Sequence, residues 1–403
     1  MIRVLFGITG GIAAYKAVSI IRLLSEAGHQ VKVVPTANAL RFVGTATLEA
    51  LSHNAVDPDL YTDVDSVKHV ALGQEADLII VAPASASFLA RYASGIADDL
   101  LGNALLATKA VVVVAPAMHT EMWHNPATQT NVDVLRSRGV IVLEPDSGRL
   151  TGSDTGQGRM PEPEAIVSSA LAAYEQRELL GDALRGKRVL ITAGGTREPI
   201  DPVRYIGNHS SGKQGLAFAH AAVAAGANVT LIAANFSHRV SGVSKVIEVE
   251  TAAELQSAIN ENLESNDILI MAAAVSDFRV ENVQNQKIKR NELGDSVELK
   301  LIANNDLLAD AVARIKNEKL QTLTVGFAAE TAGSSARLAS LAEVKLASKG
   351  CDAIIANDVS EGRVFNSNHN SVFMLDRDGN SLSFEGTKVE VASRALAFLC
   401  ELL

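Results

Sequence analysis

The chain is poor in the residues on which several classes of protein depend. Its 403 residues include only two cysteines, Cys351 and Cys400, and neither lies in a CxxC motif or in a cluster with histidines. A disulfide framework or a zinc site is therefore not expected. Aromatic residues make up only 4% of the chain, whereas alanine and valine are abundant. This balance favours helices packed on parallel sheets over an aromatic-rich β-sandwich.

Two further absences concern membranes and nucleic acids. The sequence contains no run of 18 apolar residues, so no membrane span is expected. The formal net charge of -10 leaves no broadly basic surface for a nucleic-acid backbone, and any phosphate site would have to be local. Residues 1–11 begin directly with a strand pattern and lack the features of a signal peptide, from which we predict a cytoplasmic location.

Short apolar runs alternate with helical patterns, which predicts parallel sheets covered by helices. In the first half, buried strands are predicted at residues 3–9, 30–35, 77–82 and 110–115. A helix is predicted to start near Ala13 and to stop at Gly28, where glycine can end it.

A chain of this length is too long for one comfortable core and predicts two domains. The strand pattern starts again in the second half, because KRVLITAGGT (187–196) echoes RVLFGITGG (3–11). We place the boundary near Gly181, which predicts domains at residues 1–180 and 181–403.

Residues 146–163 interrupt this rhythm, since they are rich in glycine, serine and aspartate and have no apolar period. Two interpretations are open: a disordered linker, or a lid over a binding site. The residues Arg159, Met160 and Pro161 are specific enough to favour the lid. A helix is predicted directly afterwards, at residues 164–179.

Three glycines, Gly7, Gly10 and Gly11, lie between the first strand and the first helix. They permit a tight turn and a close backbone approach, and the amides of a helix N-terminus favour a phosphate group. The spacing does not match GxGxxG. A nucleotide or flavin phosphate site and an ordinary packing turn therefore both remain open.

Polar residues follow several strands of the first half. In a parallel sheet these strand ends meet at one edge, and open α/β sheets bind their ligands there. The polar residues are Thr36, Asn38, Ser85, Ser87 and His119, and Met118 precedes His119 at the end of its strand. His69 lies apart from them and, as a single histidine, could equally be an ordinary surface residue.

Taken together, these segments resemble the flavin-dependent phosphopantothenoylcysteine decarboxylases. The resemblance covers almost all of the first half and rests on GITGGIAAYKA (7–17), APASASFLARYASGIADDLL (82–101), PAMHTEMWHNPATQ (116–129) and GRMPEP (158–163). It implies that FMN binds at the glycine turn and the strand ends, through Gly10, Gly11, Ile12, Thr36, Ser85 and Met118.

The resemblance also implies a reaction. The thiol of the bound substrate is oxidised, its carboxylate is then lost, and the flavin reduces the resulting enethiol. The family's histidine falls on His69, as an acid–base group or as a guide for the thiol. Three further residues, His119, Arg159 and Met160, fall where the family binds its substrate.

Two positions depart from the family pattern. The asparagine of the family's PAMN motif is His119 here, and the cysteine of the family's flap has no counterpart in LTGSD (150–154). A cysteine thiol is a tunable acid, whereas Thr and Ser are not. Asp154 or a water molecule is therefore a hypothesis for the final proton donor.

The second half carries a glycine-rich segment and several basic residues. Residues 207–213 match GxxxxGK, but Gln214 replaces the Ser or Thr of a P-loop and the segment lies well beyond its strand tip. It still predicts an amide-rich phosphate cradle that opens a helix. The basic run 287–290 could be a solvated loop or a phosphate site. Lys345 and Lys349 lie one helical turn apart and share a face.

This set resembles phosphopantothenate–cysteine ligase, the enzyme that supplies the substrate of the first half. The resemblance rests on TAGGTREPIDPVRYIGNHSSGKQG (192–215), AAAVSDF (272–278), VGFAAET (325–331) and KLASKGCDAIIANDVS (345–360). It implies that CTP activates the phosphopantothenate carboxylate as an acyl-cytidylate, with release of pyrophosphate. The amine of cysteine then attacks the acyl carbon.

The same resemblance assigns roles to residues. Lys287 is the implied catalytic residue, and Asn208 and Arg204 hold the acyl intermediate. The nucleotide is implied to contact Ala274, Asp277, Lys287, Lys289, Phe327, Lys345 and Lys349. Mg²⁺ or Mn²⁺ accompanies the phosphates, with Asp277 as a candidate ligand, because lysines and a divalent cation neutralise the charge that develops there.

The sequence thus predicts an α/β protein of two Rossmann-like three-layer domains with mainly parallel sheets, a flavoprotein-type domain followed by a ligase-type domain. Together they would make 4′-phosphopantothenoylcysteine and decarboxylate it to 4′-phosphopantetheine, in coenzyme A biosynthesis. The predicted partners are 4′-phosphopantothenate, cysteine and CTP, without nucleic acid or membrane. The resemblance also implies a homo-oligomer, in which trimers and dimers combine to a dodecamer.

Two alternatives concern the first half. It could carry another flavin activity, such as that of a flavin prenyltransferase or a peptide-cysteine decarboxylase, although the attached ligase half argues against both. It could also be a non-catalytic flavin-binding or assembly module, an interpretation to which His119 and the absent flap cysteine give weight.

Overall fold

A computed structural model of the chain falls into two units, unit 1 at Met1–Glu178 and unit 2 at Leu179–Leu403. It describes residues 1–56, 59, 68–149, 155–236, 240, 242–289, 298–360 and 369–403. In each unit a central sheet separates two buried clusters of apolar side chains. The predicted α/β class with mainly parallel sheets is therefore confirmed.

Unit 1 is built on a sheet of five parallel strands. The strands are β1 (Arg3–Ile8), β2 (Gln30–Pro35), β3 (Leu78–Ala84), β4 (Val111–Pro116) and β5 (Ile141–Val142). Their order across the sheet is β2-β1-β3-β4-β5. All four strands predicted in this half are present, and their ends differ from the predictions by two residues at most.

The strand β3 shows why the apolar runs are continuous. Its residues Leu78, Ile80 and Ala82 belong to one buried cluster, whereas Ile79 and Val81 belong to the other. Successive side chains of a strand point to opposite faces of the sheet. A strand that helices cover on both faces must therefore be apolar throughout.

Helices cover both faces of this sheet. They are α1 (Ala17–Glu26), α2 (Thr45–Ser52), α3 (Lys68–Glu75), α4 (Ala86–Ser94), α5 (Leu100–Ala107), α6 (Thr120–Trp123), α7 (Pro126–Ser137) and α8 (Pro163–Leu180). The first helix is shorter than predicted, because a 3-10 turn precedes α1 at Ile12–Lys16. The Ala14 N–H there bonds to the carbonyl of Gly11, three residues back, which winds the chain more tightly than an α-helix.

Two antiparallel strands, β6 (Asp146–Arg149) and β7 (Thr155–Arg159), form a hairpin between β5 and α8. Residues 150–154 lie outside the described part of the chain. The interpretation of residues 146–163 as an unstructured linker is therefore wrong for the residues that are described. Backbone hydrogen bonds between β6 and β7 order these residues. The glycine-rich composition of the segment gives no apolar pattern from which the hairpin could be predicted.

Unit 2 has a sheet of eight strands, with two short hairpins beside it. The sheet strands are β8 (Arg188–Gly194), β11 (Asn228–Ala234), β12 (Lys245–Val249), β13 (Ile268–Met271), β16 (Leu323–Glu330), β17 (Ala353–Asp358), β18 (His369–Asp376) and β19 (Ser381–Thr387). The hairpin strands are β9 (Arg197–Pro199), β10 (Tyr205–Gly207), β14 (Phe278–Val280) and β15 (Leu301–Ala303).

The large sheet has the order β12-β11-β8-β13-β16-β17-β18-β19. The first six strands in this order run parallel, and β18 and β19 are antiparallel at one edge. The turn between β18 and β19 is shaped by Asp376, whose buried carboxylate accepts from the N–H groups of Asp378 and Asn380 over 2.9 and 2.8 Å.

The helices of unit 2 complete its outer layers. They are α9 (Lys213–Ala224), α10 (Ala252–Asn262), α11 (Leu307–Glu318), α12 (Ser335–Lys349) and α13 (Lys388–Cys400). Among the residues that the structure describes, no helix combines the length and apolar character needed to cross a bilayer.

Candidate active sites

In unit 1 the order of the strands reverses between β1 and β3, because β2 lies on one side of β1 and the later strands lie on the other. Open α/β sheets bind ligands at the carboxyl ends of the strands next to such a reversal. Thr9 joins the two strand ends here. Its Oγ1 donates to the Pro83 carbonyl over 2.8 Å and accepts from the Ser85 N–H over 2.9 Å. The glycine turn and the predicted flavin residue Ser85 therefore lie side by side.

The two glycines of this turn have different surroundings. A Cβ added at Gly10 would lie 2.6 Å from the Cβ of Asn38, whereas one added at Gly11 would have no atom within 4 Å. Gly10 is thus packed against the segment after β2, and Gly11 faces open space. The next residue, Ile12, is 58% exposed. This combination leaves room beside backbone amides, which suits a phosphate group.

Thr36 and Ser85 lie at the same edge of the sheet as the glycine turn. Thr36 is buried, bonds through its N–H to the Ile8 carbonyl over 2.9 Å, and accepts the Ala39 N–H at its Oγ1 over 3.3 Å. The Ser85 hydroxyl caps α4 by accepting from the Phe88 N–H over 3.3 Å. Both hydroxyls are therefore fixed by the backbone around them, so that the strand tips keep one arrangement.

The end of β4 is joined to the hairpin. The Met118 N–H donates to the Gly158 carbonyl over 3.0 Å. Gly158 has φ +151, and a Cβ there would lie 2.2 Å from the Met118 carbonyl oxygen. His119, which follows, is exposed and begins α6. The strand β7 thus lies against the residues that the sequence assigns to the flavin and the substrate.

Basic and acidic side chains connect the residues after the hairpin to the glycine turn. Lys16 Nζ donates to Glu162 Oε2 over 3.0 Å and to the Met160 carbonyl over 3.5 Å, and Arg159 also pairs with Glu162. The hydrogen bond from Lys16 lowers the pKa of the Glu162 carboxyl. The Met160 side chain is buried in the core, so its predicted contact with substrate would fall to its backbone.

The remaining predicted residues of unit 1 are His69 and Asp154. His69 is half-buried in the first turn of α3. Since α3 leads into β3, its first turn lies towards the carboxyl ends of the strands. The topology therefore places His69 at the same edge as the glycine turn. Asp154 lies outside the residues that the structure describes.

In unit 2 the strand order reverses between β8 and β13. At that point Ala274 is held between the ends of both strands: its N–H donates to the Gly194 carbonyl over 2.9 Å, and its carbonyl accepts from the Thr196 N–H over 3.1 Å. Gly194 has φ +90, and a Cβ there would lie 2.0 Å from the Ala234 carbonyl oxygen. The predicted nucleotide residue Ala274 therefore lines the crevice of this sheet.

Asn208 reaches the same crevice. Its Nδ2 donates to the Val275 carbonyl over 2.9 Å, next to Ala274, and its own carbonyl oxygen lies 3.2 Å from where a Cβ of Gly195 would be. Asp277 is exposed three residues beyond Ala274. The structure thus brings Asn208 next to Ala274, and Asp277 follows in the same segment.

The segment 207–213 is not a P-loop. A P-loop follows its strand directly, whereas here the hairpin of β9 and β10 separates β8 from the start of α9. Gly212, just before α9, has φ +70, and a Cβ there would lie 2.3 Å from the ring of Phe236. The amides at the start of α9 nevertheless lie at the carboxyl edge of β8, as the predicted phosphate cradle requires.

Arg204 is joined to the lysine loop, by which we mean residues 284–289. Its Nη2 donates to the Ile288 carbonyl over 2.8 Å, and its side chain also pairs with Asp201. Asp201 in turn accepts the Ile288 N–H over 3.1 Å. The predicted phosphate ligands Lys287 and Lys289 flank Ile288, and both side chains are exposed.

The Asp201 side chain is fully buried, and several donors surround it. Burial by itself would raise the pKa of its carboxyl group. The Arg204 side chain and the N–H groups of Val203, Ile288 and Arg204 outweigh that effect and hold the pKa well below its ordinary value. Asp201 is thus charged at neutral pH. The sequence analysis missed it because nothing local distinguishes this carboxylate from a surface aspartate before a proline.

The predicted nucleotide residues at the end of β16 have mixed surroundings. The half-buried ring of Phe327 packs edge-on against Phe218, with centroids 5.4 Å apart. Lys345 forms an ion pair with Glu330 over 2.7 Å, and Lys349 pairs with Asp306 at the start of α11. Each lysine is therefore paired with a carboxylate, and a phosphate group would have to compete with that carboxylate for the lysine.

Two family models match the chain. The first, described as Flavoprotein, matches residues 1–174, and the second, described as DNA/pantothenate metabolism flavoprotein C-terminal domain, matches residues 184–402. The fold and its two crevices therefore define a two-unit protein of the flavoprotein class, with a flavoprotein domain followed by a domain of the pantothenate-metabolism type.

Relatives of nearly the same length carry both parts. The coenzyme A biosynthesis bifunctional protein CoaBC of Mycobacterium tuberculosis (strain ATCC 25618 / H37Rv) is 49% identical over 397 residues, which cover 97% of this chain and 94% of the relative. That of Escherichia coli (strain K12) is 41% identical over 384 residues, covering 94% and 92%. A crystal structure of the C-terminal domain of a CoaBC protein covers 55% of this chain and 98% of its own, with 33% identity and a TM-score of 0.45.

The chain belongs to the family of coenzyme A biosynthesis bifunctional proteins CoaBC. The predicted bifunctional enzyme, a decarboxylase and a ligase on one chain, is confirmed, and the match to the Flavoprotein model supports FMN as the cofactor. Relatives of full length argue against another flavin activity or a non-catalytic first half. The division of the two activities at residues 1–180 and 181–403 and the roles of individual residues stay predictions.

Proposed function

We propose that unit 1 binds FMN and decarboxylates 4′-phosphopantothenoylcysteine to 4′-phosphopantetheine, and that unit 2 makes its substrate from 4′-phosphopantothenate, cysteine and CTP. One observation supports this proposal: in each unit, residues that the sequence assigns to a ligand lie where the strand order reverses. Ser85 bonds to Thr9 at this point in unit 1, and Ala274 bonds to Gly194 at this point in unit 2. Family membership then gives each crevice its ligands.

The glycine turn is the proposed place for the phosphate of FMN. Gly11 faces open space between Gly10 and Ile12, beside the first turn of the helix. Thr36 and Ser85 lie at the same edge of the sheet. When bound there, FMN would supply the reversible two-electron oxidation of the substrate thiol that eases loss of the carboxylate. The protein orients the thiol and supplies the protons, because the redox chemistry belongs to the flavin itself.

The proposed substrate residues lie between the end of β4 and the hairpin. His119 is exposed beside Met118, where the family asparagine would meet the substrate carboxylate, and an imidazole N–H can donate to that carboxylate as an amide N–H does. Arg159 supplies a cation near this position and shares Glu162 with Lys16. His69 acts on the thiol from the first turn of α3, and Asp154 or water returns the final proton.

Unit 2 works on a carboxylate, which is a poor electrophile until it is activated. A carboxylate oxygen of 4′-phosphopantothenate attacks the α-phosphorus of CTP, and the bond to pyrophosphate breaks. The cysteine amine then attacks the acyl carbon, and CMP leaves. Lys287 and Lys289 would neutralise the charge that accumulates among the phosphates in the first step. Asn208 and Arg204 would hold the acyl-cytidylate for the second.

The divalent cation is proposed to arrive with the phosphates of CTP. In the described parts of the chain, no group of three or more His, Cys, Asp or Glu side chains is arranged to hold a metal ion. Mg²⁺ commonly binds through one or two carboxylates together with substrate phosphates and water. A single exposed carboxylate such as Asp277, three residues after the proposed nucleotide residue Ala274, fits that mode of binding.

The same proposal includes a cytoplasmic location and a homo-oligomer in which trimers and dimers combine to a dodecamer. The oligomer is what the family resemblance implies. Light scattering of the purified chain tests the oligomer: a mass twelve times that of one chain supports it, and a monomer rejects it.

The test of the two-site proposal is a variant that separates the activities. We expect Lys287→Gln to slow CTP-dependent pyrophosphate release by about 100- to 1,000-fold, as the loss of one charge-stabilising donor typically does. Its flavin content and its decarboxylation of supplied 4′-phosphopantothenoylcysteine should match the wild type. Lys245→Gln is the control. Lys245 is an exposed lysine of the same unit, and it lies at the amino end of the edge strand β12, whereas the crevice lies at the carboxyl ends of the strands. Pyrophosphate release at the wild-type rate from Lys287→Gln would reject the proposal.

A further inference from the structure

The lysine loop is attached to a turn far away in the sequence. The Gln284 N–H donates to the Ile200 carbonyl over 3.0 Å, and the Ile288 N–H donates to Asp201 Oδ2 over 3.1 Å. The Arg204 guanidinium closes the arrangement by donating to the Ile288 carbonyl over 2.8 Å. Thus both backbone groups of the residue between Lys287 and Lys289 are bonded to residues 201 and 204.

Asp201 is the centre of this arrangement. Its side chain is 0% exposed. Its Oδ1 accepts from the N–H groups of Val203 and Arg204 over 2.8 and 2.9 Å, whereas its Oδ2 accepts from Arg204 Nε over 2.9 Å and from the Ile288 N–H. One oxygen therefore shapes the local turn, and the other holds Arg204 and the loop.

Asp376, another buried aspartate of unit 2, offers a comparison. Asp376 is as buried as Asp201, at 3% exposure, and also accepts several hydrogen bonds. Its carboxylate accepts from Asp378 and Asn380, which lie within four residues of it in the turn between β18 and β19. Asp201 instead bonds to a residue 87 positions later. A carboxylate needed only to shape its own turn would have no use for that bond.

We propose that Asp201 is a positioning residue of the ligase reaction, which holds Ile288 and thereby fixes Lys287 at the crevice of unit 2. The proposal rests on the function proposed above for Lys287. Nearly every residue from 281 to 289 is exposed, so apolar packing cannot fix this stretch. A lysine is a flexible point charge, and its effect on a transition state depends on where its backbone is held.

The substitution Asp201→Asn tests the proposal, because an amide has only one acceptor oxygen. If that oxygen serves Val203 and Arg204 in the local turn, the amide nitrogen faces the Arg204 guanidinium and the Ile288 N–H, and donors oppose donors. The variant keeps the size of the side chain. Asp376→Asn is the matched control, since it makes the same change in an equally buried aspartate away from the crevice.

The first measurement needs no ligand. We expect amide hydrogen exchange in residues 284–289 of the full chain to be about 10- to 100-fold faster in Asp201→Asn than in the wild type, because a hydrogen bond to a charged acceptor is lost. Asp376→Asn should leave this exchange unchanged. Unchanged exchange in Asp201→Asn would overturn the proposal.

The second measurement asks whether Asp201 acts through Lys287. At saturating CTP, Asp201→Asn should slow pyrophosphate release by about 10- to 100-fold. In the Lys287→Gln background the same change should cause no further loss, because residues that act as one unit are not additive. Losses that multiply in the double variant would overturn the proposal. Should Asp201→Asn fail to fold, Ile288→Pro removes the bonded N–H while residues 200–204 stay intact, and it should give the same kinetic loss.

The outcomes separate the two proposals. If Lys287→Gln slows pyrophosphate release and Asp201→Asn does not, only the positioning role fails. If Lys287→Gln itself has wild-type kinetics, the function proposed for Lys287 fails and the role of Asp201 fails with it. Decarboxylation of supplied 4′-phosphopantothenoylcysteine should be unchanged in every variant and reports that the flavin unit is intact.

Discussion

Gly10 packs against Asn38 so closely that a methyl group added to Gly10 would lie 2.6 Å from the Asn38 Cβ and 3.1 Å from its carbonyl carbon. The neighbour is the base of a side chain and backbone, neither of which can turn away. Gly11, one residue later, has open space at the corresponding position. The two adjacent glycines therefore have different roles. Gly10 allows close packing against Asn38, and Gly11 leaves space for a ligand beside the backbone amides.

These surroundings predict opposite effects of the same substitution. Gly10→Ala should lower the free energy of unfolding of the flavin-free protein by about 1–3 kcal/mol, because it overpacks the turn. Gly11→Ala should change that free energy by less than about 0.5 kcal/mol, as surface substitutions do, yet reduce the flavin bound per chain by occupying the space beside the amides. Thermal unfolding and visible flavin absorbance measure the two effects. Full flavin content in Gly11→Ala would show that the phosphate lies elsewhere.

The hairpin offers a second pair of glycines. In Gly158→Ala the new methyl group would meet the Met118 carbonyl oxygen, whereas in Gly148→Ala the nearest atoms are the end of the flexible Arg159 side chain, 3.6 Å away. Both glycines have positive φ, so both variants carry backbone strain. Only Gly158→Ala should push β7 from the end of β4. We expect it to slow carbon dioxide release from 4′-phosphopantothenoylcysteine by about 10- to 100-fold, and equal rates in the two variants would contradict the role given to this contact.

The strands could be predicted because their apolar runs are local and their faces are both covered. The run at residues 30–35 gave the bounds of β2, and the unbroken apolar run of β3 gave a strand that belongs to both buried clusters. The hairpin of β6 and β7 had no such signal. It is held by backbone pairing and by the bond between Met118 and Gly158, and neither depends on apolar side chains.

The candidate sites divide in the same way. The glycine turns and strand tips could be read from the sequence, since strand ends of a parallel sheet meet at one edge. The contact of Asp201 with Ile288 could not, because it joins two polar segments across 87 positions without any periodic pattern. The antiparallel β18 and β19 were also missed. All seven residues of β19 are exposed or half-buried and form no apolar run. The apolar run of β18 at residues 372–375 was a usable signal that the sequence analysis overlooked.

The positions of the cysteines predict resistance to thiol reagents. Both cysteines lie in unit 2, and burial raises the pKa of Cys351 to about 11 and raises that of Cys400 as well. The thiolate is the reactive form. Iodoacetamide at neutral pH, removed before the thiol substrate is added, should leave decarboxylation unchanged and label Cys400 before the more deeply buried Cys351. If decarboxylation were lost at the same rate as one cysteine is alkylated, that cysteine would be needed for the reaction, which would contradict a proton donor other than cysteine.

Asp358 predicts a pH dependence of stability at the end of β17. The Ser360 hydroxyl, the Ser360 N–H and the N–H groups of Ala332 and Gly333 all donate to its carboxylate, and they lower its pKa from 3.8 to about 2. A lowered pKa gives stability that is fully present above pH 3.8 and lost as the pH falls through about 2.

The measurement for Asp358 compares melting temperatures of the wild type and Asp358→Asn across this range. We expect the wild type to be more stable by a constant amount above pH 3.8, and the difference to shrink as the pH falls towards 2. A difference that stays constant down to that pH would mean that the charge of Asp358 does not stabilise unit 2.

The central claim is that one chain carries both reactions in two separate crevices. The most direct test supplies the purified flavin-containing chain with 4′-phosphopantothenate, cysteine, CTP and Mg²⁺ and follows all products by mass spectrometry. We predict CTP-dependent pyrophosphate and CMP, carbon dioxide, and 4′-phosphopantetheine as the final product. No CTP-dependent product, or a reaction that stops at 4′-phosphopantothenoylcysteine while flavin is bound, would contradict it.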